Sequence, residues 1–296
     1  ALTARTASVL LDKDDAKYNL RSPLSWRLCA QGETVQSGLS KTAGIFHSAL
    51  SPNTAYSFEC SDVQLEFVTS PCTGLVDATQ FGLISSSKDN LAALTAAIEA
   101  TPEGGTLSIP KGRYATRPLF LKSNMTLQLD KGAELCAVDD REGWPILPAY
   151  DPDGHVIGSW EGVPANCYAA LLTAIGCEGL HITGEGIIDG GGDRGDWWQW
   201  PKETRNGARR ARAIHLVGCS KVSIAGVHVK NAPSWTIHPY RCAGVSVSNV
   251  FITNPADSPN TDGLNPESCD NTSIIAVRFS VGDDCIAIKA GKRADD

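Results

Sequence analysis

The chain has 296 residues, of which 42% are hydrophobic and 20% charged, the composition of a globular protein with a substantial core. It contains no apolar run of about 18 residues, so the sequence predicts no membrane-spanning helix. The formal net charge of −7 argues against a nucleic-acid partner, and any attraction to an acidic ligand would have to be local.

The first part of the chain alternates short apolar and polar segments between polar turns, which predicts several short β-strands. The segment "LSPNTAYSFEC" resembles the tyrosine-corner region of fibronectin type III domains, with Tyr56 at the start of a late strand. We therefore predict a small fibronectin type III-like β-sandwich over residues 1–72, followed by a second domain over residues 73–296.

A helix is predicted directly after the linker between these two parts. The segment "KDNLAALTAAIEATPEGG" is rich in Ala and Leu, with Asp89 or Asn90 as the N-cap and Gly104-Gly105 at its end. After this helix the pattern changes to strands and remains so to the end of the sequence.

Short repeats in the second half of the sequence decide the predicted fold. Each repeat begins with a leader, an apolar residue that starts a strand, and two further short strands follow it. The leaders are Leu172, Ile214, Ile237, Leu264 and Ile286, with intervals of 23, 27 and 22 residues from the second leader onward. Three short strands per repeat without helices predict an all-β protein, a right-handed parallel β-helix.

Four of the ten cysteines lie five residues after a leader: Cys177, Cys219, Cys242 and Cys269. Equivalent residues of successive coils stack about 4.8 Å apart, so these side chains should form a column. No CxxC pair occurs, which removes the usual signature of a zinc ribbon or a thioredoxin-like site. We expect a stack of buried thiols, with disulfides as the alternative.

Two aspartates occupy the same position relative to successive leaders, because Asp262 and Asp284 each lie two residues before one. They should therefore stack on adjacent coils, in a column that Trp235 and Arg212 continue on the preceding coils. We expect this column to face solvent or a cleft, because an interior stack of carboxylates would be very unfavourable.

A third aspartate, Asp283, would point to the opposite face unless the chain bends at Gly282. Three neighbouring carboxylates cannot all ionise freely, so repulsion and partial burial should raise at least one pKa. Carboxyl groups with different pKa values can serve as a general acid and a general base, as in glycoside hydrolysis. Ordinary Asx turns and a calcium site are alternatives that the spacing alone leaves open.

At these residues the sequence resembles the polygalacturonase family, glycoside hydrolases that hydrolyse pectin and are built on a right-handed β-helix. The family motif NTDG is present from Asn260 to Gly263, and GDDC from Gly282 to Cys285, in register on adjacent coils. The resemblance covers roughly residues 75 to 296. It implies inverting hydrolysis of α-1,4-galacturonosyl bonds without a metal or cofactor.

Carried over position by position, the resemblance makes Asp283 the general acid and assigns Asp262 and Asp284 to the attacking water. Asn260 would help to hold the substrate. The partner would be pectic polysaccharide or oligogalacturonides, bound by a secreted or periplasmic monomer. The fibronectin-like module and a long insertion resemble the exo-acting bacterial enzymes, so we expect attack from chain ends.

This insertion mixes three tryptophans with six basic residues. We predict that it covers the cleft and that Trp198, Arg209 and Arg212 bind substrate, with aromatic faces for sugar rings and guanidinium groups for carboxylates. The alternative is a solvated insertion that its tryptophans fix to the coil. Trp235 and His238 are further candidates for substrate binding, with a structural role as their alternative.

The sequence departs from the family after the GDDC motif. Family members carry a Gly-His-Gly histidine about one coil later and an Arg-x-Lys pair further on, and neither is present here. We therefore expect that a C-terminal portion of the β-helix is missing and that the last coil exposes apolar surface. The alternative functions are a calcium-dependent pectate lyase on the same fold and a non-catalytic β-helix that binds polysaccharide.

Overall fold

The computed structural model describes residues 1–11, 18–61 and 63–291, and its regular structure is nearly all β. The N-terminal module contains the strands β1 (Ala7–Leu10), β2 (Asn19–Ala30), β3 (Glu33–Thr42), β4 (Gly44–His47), β5 (Ala55–Cys60) and β6 (Val63–Val68). The strands of the remainder are β7 (Leu75–Asp77), β8 (Gly105–Ile109), β9 (Gly112–Thr116), β10 (Leu119–Phe120), β11 (Met125–Leu129), β12 (Ala133–Ala137), β13 (Ile146–Leu147), β14 (Ser159–Trp160), β15 (Val163–Pro164), β16 (Cys167–Tyr168), β17 (Leu172–Ile175), β18 (His181–Gly184), β19 (Ile187–Asp189), β20 (Ile214–Val217), β21 (Ser220–Ala225), β22 (His228–Lys230), β23 (Ile237–Tyr240), β24 (Ala243–Ser248), β25 (Phe251–Thr253), β26 (Ser273–Ile275) and β27 (Arg278–Ser280).

The N-terminal module consists of two antiparallel sheets. Strands β1 and β4 form one sheet, and the other has the order β3-β2-β5-β6. Leu28 and Phe58 are buried in the apolar core of this module. The hydroxyl of Tyr56 accepts a hydrogen bond from the backbone N–H of Ser51 at 2.8 Å, as a tyrosine corner does. The predicted short strands are present, while the assignment to the fibronectin type III fold stays a prediction.

The predicted helix is α1 (Leu91–Ala100), which packs its buried side chains Leu94 and Ile98 against the core of the second part. Asn90 occupies the N-cap position, but its side chain makes no capping bond, and the carboxylate of Asp89 accepts from the N–H of Leu91 at 3.0 Å. In the described residues no helix has the length and apolar character needed to cross a membrane.

Three parallel sheets form the second part. The leader sheet has the order β10-β17-β20-β23, the second sheet β26-β24-β21-β18-β11-β8-β7, and the third sheet β27-β25-β22-β19-β12-β9. The chain visits the second, third and leader sheets in turn, so each round adds one coil. The predicted right-handed parallel β-helix is confirmed.

The predicted register of the leaders is confirmed along the whole column. Leu172 pairs with Ile214, Ile214 with Ile237, Ile237 with Leu264, and Leu264 with Ile286. The first four are 0% exposed, because each side chain stacks between equivalent residues of the adjacent coils. On the last described coil, Ile286 is 42% exposed, in keeping with the expected apolar surface there.

The predicted cysteine column is also present, with all ten cysteines as thiols. The backbone N–H of Cys219 lies 3.4 Å from Sγ of Cys242, and the N–H of Cys242 lies 3.4 Å from Sγ of Cys269. Cys177 continues the column and is buried, like Cys219 and Cys242. The thiols therefore act as small apolar side chains that fill one corner of the coils.

One corner of the β-helix carries the loops that connect the third sheet to the leader sheet. There the chain leaves the third sheet and returns to the leader sheet, through the segments 138–171, 190–213, 231–236, 254–263 and 281–285. The first contains two short antiparallel strand pairs, β13 with β16 and β14 with β15. The last two carry the aspartates of the NTDG and GDDC motifs, so this corner contains the candidate site.

Candidate active site

The three predicted aspartates line a single cleft of about 380 Å³ at this corner. The segments 254–263 and 281–285 are aligned there, because the N–H of Gly263 donates to the carbonyl of Asp284 at 2.9 Å. This backbone pairing places Asp262 and Asp284 on neighbouring coils, as their shared offset from the leaders requires. The residues that line the cleft are Glu161, Trp235, Asn260, Asp262, Asp283, Asp284, Lys289 and Ala290.

Asp262 forms the buried wall of the cleft and is only 4% exposed. Its Oδ2 accepts a hydrogen bond from Nδ2 of Asn265 at 2.7 Å and lies 3.5 Å from Nζ of Lys289. Burial raises the pKa of Asp262, the amide of Asn265 and the charge of Lys289 oppose this shift, and the charge of Asp283 adds to it. The expectation that one pKa is raised is confirmed at Asp262, with burial as the main cause.

Asp283 and Asp284 are exposed at the mouth of the same cleft. Oδ1 of Asp283 accepts from the backbone N–H of Asp284 at 2.9 Å, which fixes the side chain close to its own backbone. The chain bends at Gly282 and Asp283, as predicted. The glycine is needed for space, since a Cβ there would lie 2.4 Å from the carbonyl oxygen of Ser258. Gly282 has no positive φ, so conformational freedom is not the reason.

The loop that carries Asp262 is held by a buried amide. Oδ1 of Asn254 accepts from the N–H of Ala232 at 2.8 Å, and Nδ2 donates to Oγ1 of Thr236 at 2.8 Å and to the carbonyl of Thr261 at 3.2 Å. The amide thus connects two successive corner loops. Because this network is buried and fully paired, it holds Asp262 rigidly against the coil.

Lys289 is a cleft residue that neither motif nor repeat pattern indicated. Its Nζ lies 4.6 Å from the ring centroid of Trp235, in addition to its contact with Asp262. A cation in this place stabilises the ionised form of the carboxylate beside it. The available signal was a single charged residue in the otherwise apolar segment "CIAIKA".

The expectation that the whole column faces solvent or a cleft is wrong at Arg212. This side chain is 0% exposed, with its guanidinium carbon 5.3 Å from the ring of Trp160 and 4.9 Å from that of Trp235. Its Nη2 donates to the carbonyl of Ser159. The segment 138–171 therefore covers this position, and Arg212 does not line the cleft.

His238 also lies outside the cleft. It is 0% exposed, its Nε2 is 2.8 Å from Oε2 of Glu267, and its ring stacks on that of His215 at 4.8 Å. Burial lowers its pKa well below the ordinary value, and the charges of Arg212 and Lys289 add to this effect. The contacts of His238 therefore fit a structural role, the alternative to substrate binding. Trp235 of the same coil does line the cleft.

The tryptophans of segment 190–213 fix it to the coils. Trp197 and Trp200 are 1% and 0% exposed and stack at 5.7 Å, and half-buried Trp198 donates from Nε1 to the carbonyl of Ala232 at 3.1 Å. Nη1 of Arg209 donates to the carbonyls of Lys202 and Glu203 within the same segment. In this described segment no tryptophan ring therefore faces the cleft to receive a sugar ring. Neither Trp198 nor Arg209 is among the residues that line the cleft.

The calcium alternative finds no support in the arrangement of the carboxylates. Among the described residues, one group of three ligand atoms lies within 4.8 Å, and it consists of Asp151, Asp153 and His155 in an exposed turn. The aspartates of the cleft do not form such a group, although calcium needs six to eight oxygen ligands at short distance.

Part of this chain is similar in sequence to known glycoside hydrolases. Residues 159–294 match the family described as glycosyl hydrolases family 28. A probable polygalacturonase from Vitis vinifera is 36% identical over 194 residues, which is 64% of this chain and 38% of the relative. The chain thus spans well under half the length of that relative.

Two solved structures share the fold. The family 28 exopolygalacturonase of Yersinia enterocolitica superposes with a TM-score of 0.71 at 20% identity, over 97% of this chain and 63% of that one. The hyperthermoactive exopolygalacturonase of Thermotoga maritima superposes with a TM-score of 0.64 at 27% identity, over 75% of this chain and 55% of that one. These matches confirm the resemblance to polygalacturonases that the two motifs indicated.

Proposed function

We propose that this chain carries the acid and base of a glycoside hydrolase that cleaves α-1,4-galacturonosyl linkages of pectic polygalacturonate. The proposal rests on the similarity to family 28 and on one observation of the structure. That observation is the convergence of Asp262, Asp283 and Asp284 from two successive coils on a single cleft.

The different environments of the aspartates support different roles. Asp283 is exposed at the mouth of the cleft, where it can reach a glycosidic oxygen and act as general acid. Asp262 is buried, which makes it a stronger base, while Lys289 favours its ionised form. Asp262 and Asp284 would hold and activate the attacking water, and inversion requires roughly 6.5–9.5 Å between acid and base for that water.

The charges around the cleft support an acidic sugar as substrate despite the net charge of −7. Lys289 and Asn260 line the cleft beside the aspartates, and Nζ of Lys289 lies 3.5 Å from Oδ2 of Asp262. The side chains of Lys289 and Asn260 can both donate hydrogen bonds to the carboxylate of a galacturonate unit. The attraction to the substrate would then be local, as the overall charge demands.

We further propose exo action by a secreted or periplasmic monomer. Two similar structures are exopolygalacturonases, and the turn between β14 and β15 brings Glu161 into the cleft from segment 138–171. A groove narrowed by this segment would accept the end of a polymer more readily than its middle. Digestion of end-labelled oligogalacturonides tests this proposal: release of single terminal units supports it, and random internal cuts contradict it.

The reaction itself is tested by the release of reducing ends from polygalacturonate. Asp283→Asn should lower kcat by about 10²–10⁴-fold and leave binding of oligogalacturonide intact, because the amide keeps the shape but cannot give up a proton. Asp257→Asn is the matched control, since Asp257 is exposed on segment 254–263 and does not line the cleft.

A chelator arm separates hydrolysis from elimination. Activity that persists with chelator and yields saturated products supports hydrolysis. Loss of activity with chelator, together with unsaturated products that absorb in the ultraviolet, would show a calcium-dependent lyase. Binding without any bond cleavage would show a non-catalytic β-helix.

A further inference from the structure

Arg210 is a fully buried cation behind the cleft, at the end of segment 190–213. Its Nη1 donates to the carbonyls of Pro233 at 2.8 Å and Pro259 at 2.9 Å. Its Nη2 donates to the carbonyl of Pro201 at 3.0 Å and to Oδ1 of Asn260 at 2.6 Å. One guanidinium group therefore joins three corner loops, and the shortest of its four hydrogen bonds goes to a residue that lines the cleft.

This contact determines the orientation of the Asn260 amide. A guanidinium group has donors and no acceptor, so the oxygen of the amide must face Arg210 and the nitrogen must face away. Within the described residues, no group accepts a hydrogen bond from Nδ2 of Asn260. The backbone of Asn260 has a φ of 56°, a left-handed conformation that asparagine tolerates and that holds the side chain at the cleft wall.

In the described part of the chain no carboxylate forms an ion pair with Arg210, whose hydrogen bonds go to three backbone carbonyls and the Asn260 amide. Burial lowers the pKa of Arg210 to about 10, and the charges of Arg212 and Arg209 add to this effect while Asp262 opposes it. A buried positive charge without an ion-pair partner is unfavourable. An anion that enters the cleft would relieve this cost, so the surroundings of Asn260 favour a negatively charged ligand.

We propose that Arg210 is a positioning residue that holds the Asn260 amide with its NH₂ group toward the cleft, where it donates to a carboxylate oxygen of the ligand. The proposal rests on the proposed function only for the identity of that ligand, a galacturonate unit. Arg210 itself has no exposed surface and acts through Asn260. Arg210 therefore contributes by orienting the Asn260 amide and by placing a positive charge behind the cleft.

Calorimetric binding of trigalacturonate, and of its methyl-esterified counterpart, tests this proposal. Asn260→Asp keeps an oxygen for Arg210 but replaces the free N–H group by an acceptor. Affinity for trigalacturonate should fall by about 10- to 100-fold, the usual value for a hydrogen bond to a charged group, and affinity for the ester should fall less. Binding of trigalacturonate by Asn260→Asp as tight as that of the wild type would overturn the proposal.

A double-mutant cycle shows whether Arg210 acts through Asn260. Arg210→Lys keeps the charge but loses the planar fork, so affinity should fall by about 3- to 10-fold in the wild type. In the Asn260→Ala background the same change should have no further effect. Equal losses in both backgrounds would overturn the proposal. Arg205→Lys, on the same segment but in contact with Asp196 and Trp200, is the matched control.

Two further outcomes keep this inference separate from the proposed function. Wild-type protein that binds trigalacturonate but releases no reducing ends would contradict the hydrolase and leave the inference standing. Wild-type protein that binds neither ligand would overturn both. Unfolding curves would show whether Arg210→Lys folds. If it does not, the affinities of Asn260→Asp and Asn260→Ala for trigalacturonate still test the orientation of the amide, since both variants lack the NH₂ group and both should bind more weakly than the wild type.

Discussion

Two loops at the same corner of the β-helix show how differently one register position can be used. Asp262 lies near the end of segment 254–263 and Arg212 near the end of segment 190–213, each two residues before a leader. Asp262 forms a wall of the cleft, whereas Arg212 is enclosed by the rings of Trp160 and Trp235. The register thus determines the corner and the coil, and neighbouring segments determine whether the side chain reaches solvent.

The covering segment accounts for this difference. Segment 138–171 contributes Trp160 and Ser159 over the earlier coil, and its turn at Glu161 reaches only the edge of the cleft. The basic and aromatic residues of segment 190–213 therefore support the site from within, and the residues of the shorter loops contact the cleft directly. Substitutions at the two loops should consequently separate effects on catalysis from effects on stability.

The largest expected effect is at the two equivalent positions themselves. Asp262→Asn should lower kcat by about 10²–10⁴-fold without loss of stability, because it removes a base whose burial as a charge is unfavourable. Arg212→Met should instead lower the free energy of unfolding by about 1–3 kcal/mol through lost hydrogen bonds, with kcat changed less than about tenfold. Kinetics and urea unfolding of both variants check this. A larger loss of kcat in Arg212→Met than in Asp262→Asn would contradict these roles.

The next effect concerns the tryptophans of segment 190–213. Trp200→Ala should destabilise the protein by about 3–5 kcal/mol, because a fully buried ring leaves a cavity. Trp198→Ala should cost less, since that ring is half-buried, and neither change should alter the affinity for oligogalacturonide in folded protein. A large loss of affinity in Trp198→Ala at unchanged stability would restore the substrate-binding interpretation of this residue.

A smaller effect is expected from Lys289, which lies on the same cleft wall as Asp262. Lys289→Met removes a charge that lowers the pKa of Asp262, so this pKa should rise further. Since a base acts only when deprotonated, activity is lost as the pH falls through this pKa, and the acid limb of the kcat/KM profile should move to higher pH. Lys289→Arg, which keeps the charge, should leave the limb close to its wild-type position. An acid limb that does not move in Lys289→Met would show that Asp262 does not set it.

The smallest expected effect concerns the order in which the cysteine thiols react with a labelling reagent. Cys285 is exposed beside the cleft aspartates and should react at once in native protein, whereas Cys219 and Cys242 in the buried column should react only on unfolding. Mass spectrometry after a short pulse of labelling checks the order. Early reaction of Cys242 would indicate that the column opens without global unfolding.

The sequence was sufficient for the fold and for the position of the aspartates, for a physical reason. A β-helix repeats one pairing rule, so the spacing of Ile214, Ile237 and Leu264 determines which residues stack. The bend at Gly282 could also be predicted from the sequence, but for a different reason. The glycine is needed for close packing against Ser258, and its φ is not positive.

The burial of the side chains around the cleft, and the direction in which they point, could not be predicted in the same way. The burial of Arg212 depends on segment 138–171, which has no repeat, so the sequence does not show which coil it covers. His238 is buried by its contacts with Glu267 and His215 of the neighbouring coils. Lys289 and Arg210 reach the site through long side chains that cross between coils, and local patterns do not show such contacts. Basic and aromatic residues in an insertion indicated proximity to the site but not whether they contact the ligand.

The most direct test of the central claim is a kinetic cycle with Asp262→Asn, Asp283→Asn and the double variant on polygalacturonate. If the two aspartates act together in one cleft as base and acid, the double variant should be about as slow as the slower single variant. Rate losses that multiply independently, or hydrolysis at close to the wild-type rate in the double variant, would contradict a shared site formed by two successive coils.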